Sequence, residues 1–477
     1  MSSSSVALTI ILGIVAIGSF VGFYAGRKHR LNLEEWAVAG RGFGVVLVWL
    51  LMAGEIFTTF SLLGISGWIY AKGGPTLYTL AYLTLSQVIG FFLQPAIWEV
   101  GRRFGLQTQP DFFAQRYGSK LLAAAVAFLD IFFLIIYLQL QLTGLGIIVE
   151  VASFGQIAPA PAMTAAAVII AGFVYTSGVR GVAWVAIIKD ILLVFAALVV
   201  GIGLPYIHFG GIGRMFAALA AAKPGHMVMP GATPNLGHSW YVSAVLLSAL
   251  GTCWPHTFGS IFTAKSADTL RRNTIVMPLY VLALGLIVVA GCAAILIVPQ
   301  LKNGDLALLT AVRQTFPPWF LGVLGGAGAL TAMVPAAIMI LTASTLFAKN
   351  IYRPLVAPAL SDDQVAKVAR IVIAGTTAVA LGLALHSSTT LVALLLTAYA
   401  GIGQFFPGLV LGLCWKRVTT FGIFAGLVAG IGLAGYLILT HRDPIGGLNA
   451  GFVALLVNFT FAVMGSLATP RQRSGFE

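Results

Sequence analysis

The chain has 477 residues, of which 59% are apolar and only 9% are Asp, Glu, Lys or Arg, against roughly 25% charged residues in an ordinary soluble protein. So little charge cannot cover the surface of a soluble protein of this length, which excludes a soluble globular enzyme, a disordered protein and a disulfide scaffold. The net charge of +13 would suggest a nucleic-acid partner for a soluble chain, but in a membrane protein it reflects the Lys and Arg of cytoplasmic loops. The expected partner is therefore the lipid bilayer, and no nucleic acid.

The apolar residues gather in thirteen windows, each long enough to cross a bilayer. A helix needs roughly 20 apolar residues to cross a hydrocarbon core about 30 Å thick. No soluble domain separates the windows, so the sequence predicts a single transmembrane domain over residues 1–477. We number the predicted spans one to thirteen in chain order: 6–26, 43–71, 76–100, 120–152, 162–179, 181–207, 239–261, 274–299, 318–347, 367–386, 388–414, 419–440 and 446–468.

The basic residues are distributed unevenly over the predicted loops. Loops after odd-numbered spans, together with the C-terminal tail, hold twenty of the 27 Lys and Arg side chains, whereas loops after even-numbered spans hold six. Since cytoplasmic loops collect Lys and Arg, this asymmetry predicts an extracellular N-terminus and a cytoplasmic C-terminus. We therefore expect a multi-pass protein of the cytoplasmic (inner) membrane.

Span two carries an acidic residue near its middle, Glu55, which follows Gly54 and precedes Thr58 and Thr59. A charge at the centre of a membrane helix costs at least about 2.5–3.5 kcal/mol, so such a residue is expected to have a partner or a function. The surrounding small and hydroxyl residues favour a broken helix, which forms substrate and ion sites in transporters. Two interpretations stay open: a carboxyl that exchanges a proton or neutralises a cation, and a structural carboxyl bonded to a neighbouring helix.

Three further charges lie inside predicted spans: Asp130 in span four, and Lys189 and Asp190 in span six. Asp130 and Lys189 lie at similar predicted depth, which favours a structural ion pair between them because an unpaired buried charge is costly. Asp190 directly follows Lys189 and points about 100° away from it on a helix, so the two are not expected to face one partner.

Span seven contains a proline, Pro255, between Trp254 and His256. Proline removes a helical hydrogen bond and breaks or kinks the helix. The flanking side chains suggest an aromatic wall or a proton-sharing imidazole, with a structural histidine as the alternative. Gln141 in span four and Gln404 in span eleven each carry a side-chain amide. Two interpretations stay open for these amides: they orient a polar solute, or they only form hydrogen bonds between helices.

Sequence signatures of enzymes are missing from the chain. It has no phosphate-binding loop, no HExxH, no CxxC and no nucleophile elbow, each of which would indicate a specific chemistry. We therefore expect no catalytic residues, no metal site, no cofactor and no enzyme activity, and we infer no obligatory protein partner. Without an ATPase signature, transport would be driven by an ion gradient.

Five stretches of the sequence resemble the sodium:solute symporter family, in the family's order and over nearly the whole chain. They are 34–41 (EEWAVAGR), 105–117 (GLQTQPDFF with a following RY), 255–265 (PH with a following lysine), 349–353 (KNIYR) and 406–419 (FPGLVLGLCWKRVT). The resemblance implies an all-α polytopic membrane protein with 13 transmembrane helices, N-out and C-in, and a leucine-transporter-like fold. Its core would be two inverted five-helix repeats, 43–207 and 239–414, with peripheral helices in 1–42 and 415–477, and spans two and seven would be the broken helices.

The sequence departs from the family at the ion site. Sodium-coupled members hold Na⁺ between backbone carbonyls at the break in span two and paired hydroxyls in span nine. Counted back from the KNIYR stretch, the hydroxyl positions are Val334 and Pro335, and neither side chain has a hydroxyl. The hydroxyls of the family's sodium site are therefore missing at these lost sodium-site positions, and the neighbouring broken helix carries an acid. Together these two features favour proton coupling through Glu55.

Four features together look like the monocarboxylate-permease branch of the family, which takes up lactate, pyruvate and related short acids. They are the acid at Glu55, the stretch 175–180, the neighbours Lys189 and Asp190, and the stretch 333–339. The favoured hypothesis is a symporter that imports a small monocarboxylate by alternating access, driven by H⁺. The alternative is a sodium-coupled symporter of a monocarboxylate or another small organic solute with a rearranged ion site, in which Glu55 is a ligand. Candidates for substrate binding, chosen only by position, are Thr58, Thr59, Gln141, Trp254, His256 and Gln404.

Overall fold

The computed structural model describes residues 2–26, 37–231, 236–387 and 389–476. Over these ranges the chain is helical and forms no strand, with two isolated bridges, Phe43 with Ala264 and Ile445 with Leu448. The predicted all-α architecture is therefore confirmed. The resembling stretch 34–41 begins outside the described residues.

The described residues contain twenty principal helices. In order, they are α1 Ser3–Gly26, α2 Val45–Ile56, α3 Phe60–Lys72, α4 Tyr78–Phe104, α5 Gln109–Tyr117, α6 Lys120–Ala152, α7 Pro159–Thr176, α8 Gly178–Phe209, α9 Ile212–Ala222, α10 His238–Ser248, α11 Pro255–Thr263, α12 Ala267–Val276, α13 Pro278–Ile297, α14 Ala307–Thr315, α15 Pro318–Leu346, α16 Asp362–His386, α17 Leu391–Ile402, α18 Phe406–Cys414, α19 Thr420–Leu439 and α20 Ala450–Ala468.

The described residues contain 11 helical segments that are long and apolar enough to cross a membrane, or 12 if the bent pair α2 and α3 is one span. Helices α10 and α11 flank a second break, and each alone is shorter than the roughly 20 residues that a crossing needs. Counting this pair as a further span would give thirteen. The number thirteen and the N-out orientation stay predictions.

Between α7 and α8 the chain bends at a glycine. Gly178 has φ 58° and ψ −167°, a conformation that residues with a Cβ rarely adopt. The sequence places two separate spans here, 162–179 and 181–207, and the bend at Gly178 lies at the end of the first. The break therefore has a local cause in the backbone preference of one residue.

Helix α15 forms the centre of the bundle, and the most apolar window of its span is 94% buried. Its glycines allow neighbouring helices to approach closely. A Cβ built on Gly322 would lie 2.8 Å from Ile10, and one on Gly326 would lie 2.5 Å from Ile14, both in α1. Small residues that bring helix backbones together are the usual means of helix packing in membranes. The glycine-rich run therefore serves packing of α15 against α1.

Candidate functional site

Two broken helices meet at the centre of the molecule. Helix α2 ends at Ile56, the backbone of Phe57 is extended (φ −81°, ψ 93°), and α3 begins at Phe60 after a bend of 55°. Helix α10 ends at Ser248, and α11 begins at Pro255 after a turn. Breaks of this kind leave backbone groups and helix ends unpaired at membrane depth, which is where transporters bind substrates and ions.

Glu55 connects the two broken helices through its carboxylate. The hydroxyl of Thr257 in α11 donates to Glu55 Oε2 at 3.1 Å, and the hydroxyl of Ser260, one turn further along α11, donates to Oε1. Residues three apart lie on the same face of a helix, so both hydroxyls meet the one carboxylate. Glu55 is only 4% exposed, and its bonds link the end of α2 to the beginning of α11.

The hydroxyl pair around Glu55 suits two protonation states. A hydroxyl rotates and can donate or accept, whereas a carboxylate only accepts and a carboxylic acid also donates. Thr257 and Ser260 can therefore donate to the carboxylate, and one of them can accept from the protonated acid. The site satisfies the hydrogen bonds of Glu55 whether or not it carries a proton.

A small internal cavity of about 60 Å³ lies beside Glu55. One water molecule needs about 10–15 Å³ of such cavity volume, so the cavity admits roughly four to six water-sized groups. The lining comes from both broken helices, from α4, α6 and α17, and from the residue between α12 and α13. Its members are Met52, Glu55, Ile56, Phe60, Tyr82, Leu83, Ser86, Gln87, Gln94, Tyr137, Gly251, Thr252, Trp254, His256, Thr257, Met277 and Tyr399.

Aromatic rings form one wall of this cavity. The ring of Trp254 lies 4.7 Å from that of Tyr137, 5.3 Å from that of Tyr399 and 5.4 Å from that of His256, measured between centroids. The predicted aromatic wall at the proline break is therefore present. Helix α11 begins at this wall, and its N-terminus carries the positive end of the helix dipole.

Two polar atoms of the lining are buried without a hydrogen-bond partner among the described residues: Nδ1 of His256 and Oε1 of Gln94. Buried polar atoms are normally paired, and an unpaired one costs about 1–3 kcal/mol. A polar solute in the cavity would supply the missing partners.

The other sequence candidates lie near the site but outside the cavity lining. The hydroxyl and the backbone N–H of Thr59 both donate to Gln141 Oε1, at 2.9 and 3.2 Å. The hydroxyl of Thr58 accepts from the N–H of Phe60 at the start of α3. Gln404 donates to the carbonyls of Ala400 and Gly451. These contacts shape the break in α2–α3 and join helices.

The predicted pair between Asp130 and Lys189 is wrong. The ammonium of Lys189 lies 2.9 Å from Oδ1 of its neighbour Asp190, and it also donates to the carbonyls of Gly54 and Phe57 at 3.2 Å each. The reason is the flexible four-carbon stem of lysine, which curls back along α8 despite the 100° offset between adjacent residues. Asp130 is fully buried, and neither of its oxygens has a hydrogen-bond partner among the described residues.

Val334 lies directly opposite the broken helix. A Cβ built on Gly54 would be 3.3 Å from Cγ1 of Val334 and 3.7 Å from Nζ of Lys189. Val334 and Pro335 both lie within α15 and are buried. The position at which the family resemblance implies a hydroxyl thus carries a methyl group that packs on the α2 break.

Comparisons with known proteins agree with this architecture. The model of the family described as "SSF: Sodium:solute symporter family" matches residues 36–430. The Uncharacterized symporter YhjB of Bacillus subtilis (strain 168) is 42% identical to this chain over 98% of both proteins. This chain belongs to the sodium:solute symporter family. As a symporter with many apolar helices it is a multi-pass integral membrane protein, and bacterial symporters of this kind typically lie in the cytoplasmic membrane.

More distant relatives of the symporter are also similar along its whole length. The Monocarboxylate transport permease protein of Rhizobium johnstonii (strain DSM 114642 / LMG 32736 / 3841) is 29% identical over 97% of each chain. A solved structure of a Na⁺-coupled sialic acid symporter, substrate-bound and outward-open, superposes with a TM-score of 0.81 over 98% of this chain and 99% of that one, at 16% identity. The latter likeness shows the shared fold.

Two of the resembling sequence stretches meet in the folded symporter. Lys349 donates to Asp111 Oδ2 at 2.7 Å and to Gln107 Oε1 at 2.8 Å, while Asn350 donates to Asp111 Oδ1 at 2.8 Å. Burial alone would raise the pKa of Asp111, but Lys349 and the surrounding donors outweigh it and hold the pKa below its ordinary value. This cluster joins α5 to the chain after α15.

Sequence reasoning missed the hydroxyls of Thr257 and Ser260, which hold Glu55. Their spacing of three residues after a proline break was a usable signal, since it places both on one face of α11. It also missed the polar lining from α4, namely Tyr82, Ser86, Gln87 and Gln94. Gln87 and Gln94 lie seven residues apart and therefore share a helix face, a pattern visible in the sequence.

Proposed function

We propose that this symporter imports small monocarboxylates, such as lactate or pyruvate, together with protons, and that Glu55 carries the coupled proton. Family membership supports solute symport. The monocarboxylate assignment draws on the similarity to the Rhizobium johnstonii permease and on the size of the central cavity, which suits a short-chain acid.

The position of Glu55 is the observation that carries the proton proposal. Its carboxyl bridges α2 and α11, lines the cavity, and is held by two hydroxyls that serve either protonation state. Taking a carboxylate out of water costs free energy that protonation removes. Movement of the broken helices between their outward and inward arrangements would change the water around Glu55 and so load or release the proton.

The substrate carboxylate would bind at the beginning of α11. Helix N-termini attract anions through their free N–H groups and their dipole. His256, whose Nδ1 has no partner among the described residues, lies in the first turn of α11 and would donate a hydrogen bond from that nitrogen. The apolar part of a short acid would contact the rings of Trp254 and Tyr137.

Uptake of labelled lactate into proteoliposomes tests this function, with the pH gradient and the Na⁺ gradient imposed separately. An acidic exterior without Na⁺ should drive accumulation at least about tenfold above the level reached without a gradient. An inward Na⁺ gradient at equal pH should add nothing. Accumulation that requires Na⁺ would overturn the proton proposal, and failure of every short acid to accumulate would overturn the substrate class.

A sodium-coupled cycle is the second candidate, and the oxygen atoms around Glu55 favour it. The carboxylate and the hydroxyls of Thr257 and Ser260 converge, and Na⁺ is a hard cation that prefers oxygen ligands. In this version Na⁺ takes the place of the proton, and Glu55 binds it directly. Half-maximal uptake at a defined Na⁺ concentration, lost in Glu55→Gln, would favour this candidate.

A further inference from the structure

The break after α2 removes the helical donors of two backbone carbonyls. In a continuous helix the carbonyl of Gly54 would accept from the N–H of Thr58, and that of Phe57 would accept from Ser61. Here the N–H of Thr58 points to the hydroxyl of Ser61 at 3.4 Å, and the N–H of Ser61 donates to the carbonyl of Thr58. Both carbonyls are buried and need another donor.

The ammonium of Lys189 supplies that donor. It lies 3.2 Å from each carbonyl, to which it donates, and 2.9 Å from Asp190 Oδ1, with which it forms an ion pair, so three oxygens surround it. Lys189 is fully buried, and a buried charge persists only when partners of this kind compensate it. The side chain is thus built into the break of the helix.

We propose that the Lys189 ammonium is the resident cation of the α2–α3 break and occupies the place where sodium-coupled relatives bind Na⁺, so that this symporter binds no Na⁺ there. Backbone carbonyls at this break and residues of α15 opposite it are the elements from which the resemblance builds a sodium site. In this chain the α15 position is Val334, whose methyl group faces Gly54 beside the ammonium.

A tethered cation explains the loss of the hydroxyls in α15. Na⁺ needs several oxygen ligands, whereas an ammonium has three donors and is satisfied by two carbonyls and one carboxylate. The charged groups that act on Lys189 are Asp190 and Glu55, and the centroid of the Phe57 ring lies 5.8 Å from the ammonium. The positive charge stays in the site through the cycle because it is covalently attached.

Removal of the lysine side chain should convert the break into a cation site. Truncation in Lys189→Ala leaves the carbonyls of Gly54 and Phe57 and the carboxylate of Asp190 around an open space. Such a set of oxygens suits Na⁺, and methylammonium would replace the lost group directly. The proposal about Lys189 depends on the family fold and on this geometry. It depends neither on the identity of the substrate nor on whether Glu55 carries the proton.

The test measures the apparent melting temperature of the purified protein in NaCl and in N-methyl-D-glucamine chloride, at equal ionic strength and without substrate. The wild type should melt at the same temperature in both salts. Lys189→Ala should melt lower, and Na⁺ or methylammonium should raise its melting temperature saturably, on the order of 5 °C. Adding Val334→Ser to this variant should lower the Na⁺ concentration needed.

Lys349→Ala is the matched control, because it removes a lysine from another ion pair, with Asp111, and should gain no Na⁺ response. Val334→Ser alone keeps Lys189 and should also gain no Na⁺ response of its melting temperature. This variant tests the proposal even if Lys189→Ala does not fold. Saturable Na⁺ stabilisation of the wild type or of Val334→Ser that persists when Glu55→Gln is added would overturn the proposal. So would a folded Lys189→Ala protein that responds to neither Na⁺ nor methylammonium. Because Glu55→Gln removes the carboxylate that the second candidate assigns to Na⁺, and no gradient is used, these results are independent of whether Glu55 carries the proton.

Discussion

The two broken helices of this symporter differ in the chemistry around their breaks. The α2–α3 break is surrounded by charge, with Glu55 at the end of α2 and the Lys189–Asp190 pair against its carbonyls. The α10–α11 break is surrounded by neutral groups, namely the rings of Trp254 and His256 and the hydroxyls of Thr257 and Ser260.

This difference indicates a division of roles between the breaks. Charges that cannot leave the membrane suit the coupling of ion movement to helix movement, whereas a neutral aromatic surface with a free helix N-terminus suits recognition of an organic anion. Glu55 lies on the boundary, since its carboxyl belongs to the first break and its hydrogen bonds to the second. Substitutions at each break should therefore fail in different ways.

The largest effect on stability is expected at the charged break. Lys189→Met should destabilise the protein by about 3–5 kcal/mol, because it leaves the Asp190 carboxylate buried and unpaired. The double variant Lys189→Met/Asp190→Asn should recover about half of that loss. Melting temperatures of the two single variants and the double variant measure this coupling, and simple additivity would contradict the ion pair.

Helix α3, which follows the same break, contacts Asp305, which accepts from the N–H of Leu391 at 3.2 Å and packs on Gly67. Burial raises the pKa of Asp305 to about 6. A raised pKa means that its contribution to stability is present at low pH and is lost as the pH rises through about 6. Between about pH 4 and 6 the wild type should lose about 2 kcal/mol relative to Asp305→Asn. Parallel pH profiles of melting for the two proteins would show that this carboxyl does not contribute.

At the neutral break the expected effect is on substrate affinity. His256→Ala should raise the KM for lactate about tenfold, since a hydrogen bond to a charged group is worth about 1.5–3 kcal/mol, and should leave the proton requirement unchanged. His208→Ala is a suitable control because this histidine bonds Thr315 away from the cavity. An unchanged KM in the His256 variant would remove this residue from the substrate site.

The smallest effect is expected at Asp130, a buried acid outside both breaks. Its oxygens have no hydrogen-bond partner among the described residues, so an amide of the same shape loses no contact. Asp130→Asn should change stability less than Lys189→Met does and should keep proton-driven uptake. A large loss of uptake in this variant would place a second proton site in α6.

The sequence predicted the architecture because its signals there are local. Apolar windows, the proline at 255 and the glycine before Glu55 each predict structure within a few residues, and the helices and both breaks lie where those signals place them. Glu55 could be identified for the same reason, because a single charge in an apolar span is visible in the sequence without knowing which helices surround it.

Contacts between distant helices were harder to predict. Depth along two spans suggested that Lys189 pairs with Asp130, but depth does not specify which faces meet. The pairing with Asp190 also depends on the broken helix, because the freed carbonyls of Gly54 and Phe57 draw the ammonium toward themselves. The partners of Glu55 depend in turn on the face that α11 turns toward α2, which sequence spacing alone leaves open.

The most direct test of proton coupling compares two kinds of transport by Glu55→Gln in proteoliposomes. Glutamine resembles the protonated acid, so the variant should still exchange internal for external lactate in a counterflow assay. It should lose at least about tenfold of the accumulation driven by an imposed pH gradient, whereas the matched acid-to-amide control Asp130→Asn should retain it. If Glu55→Gln still accumulated lactate under the pH gradient, Glu55 would not be the proton carrier.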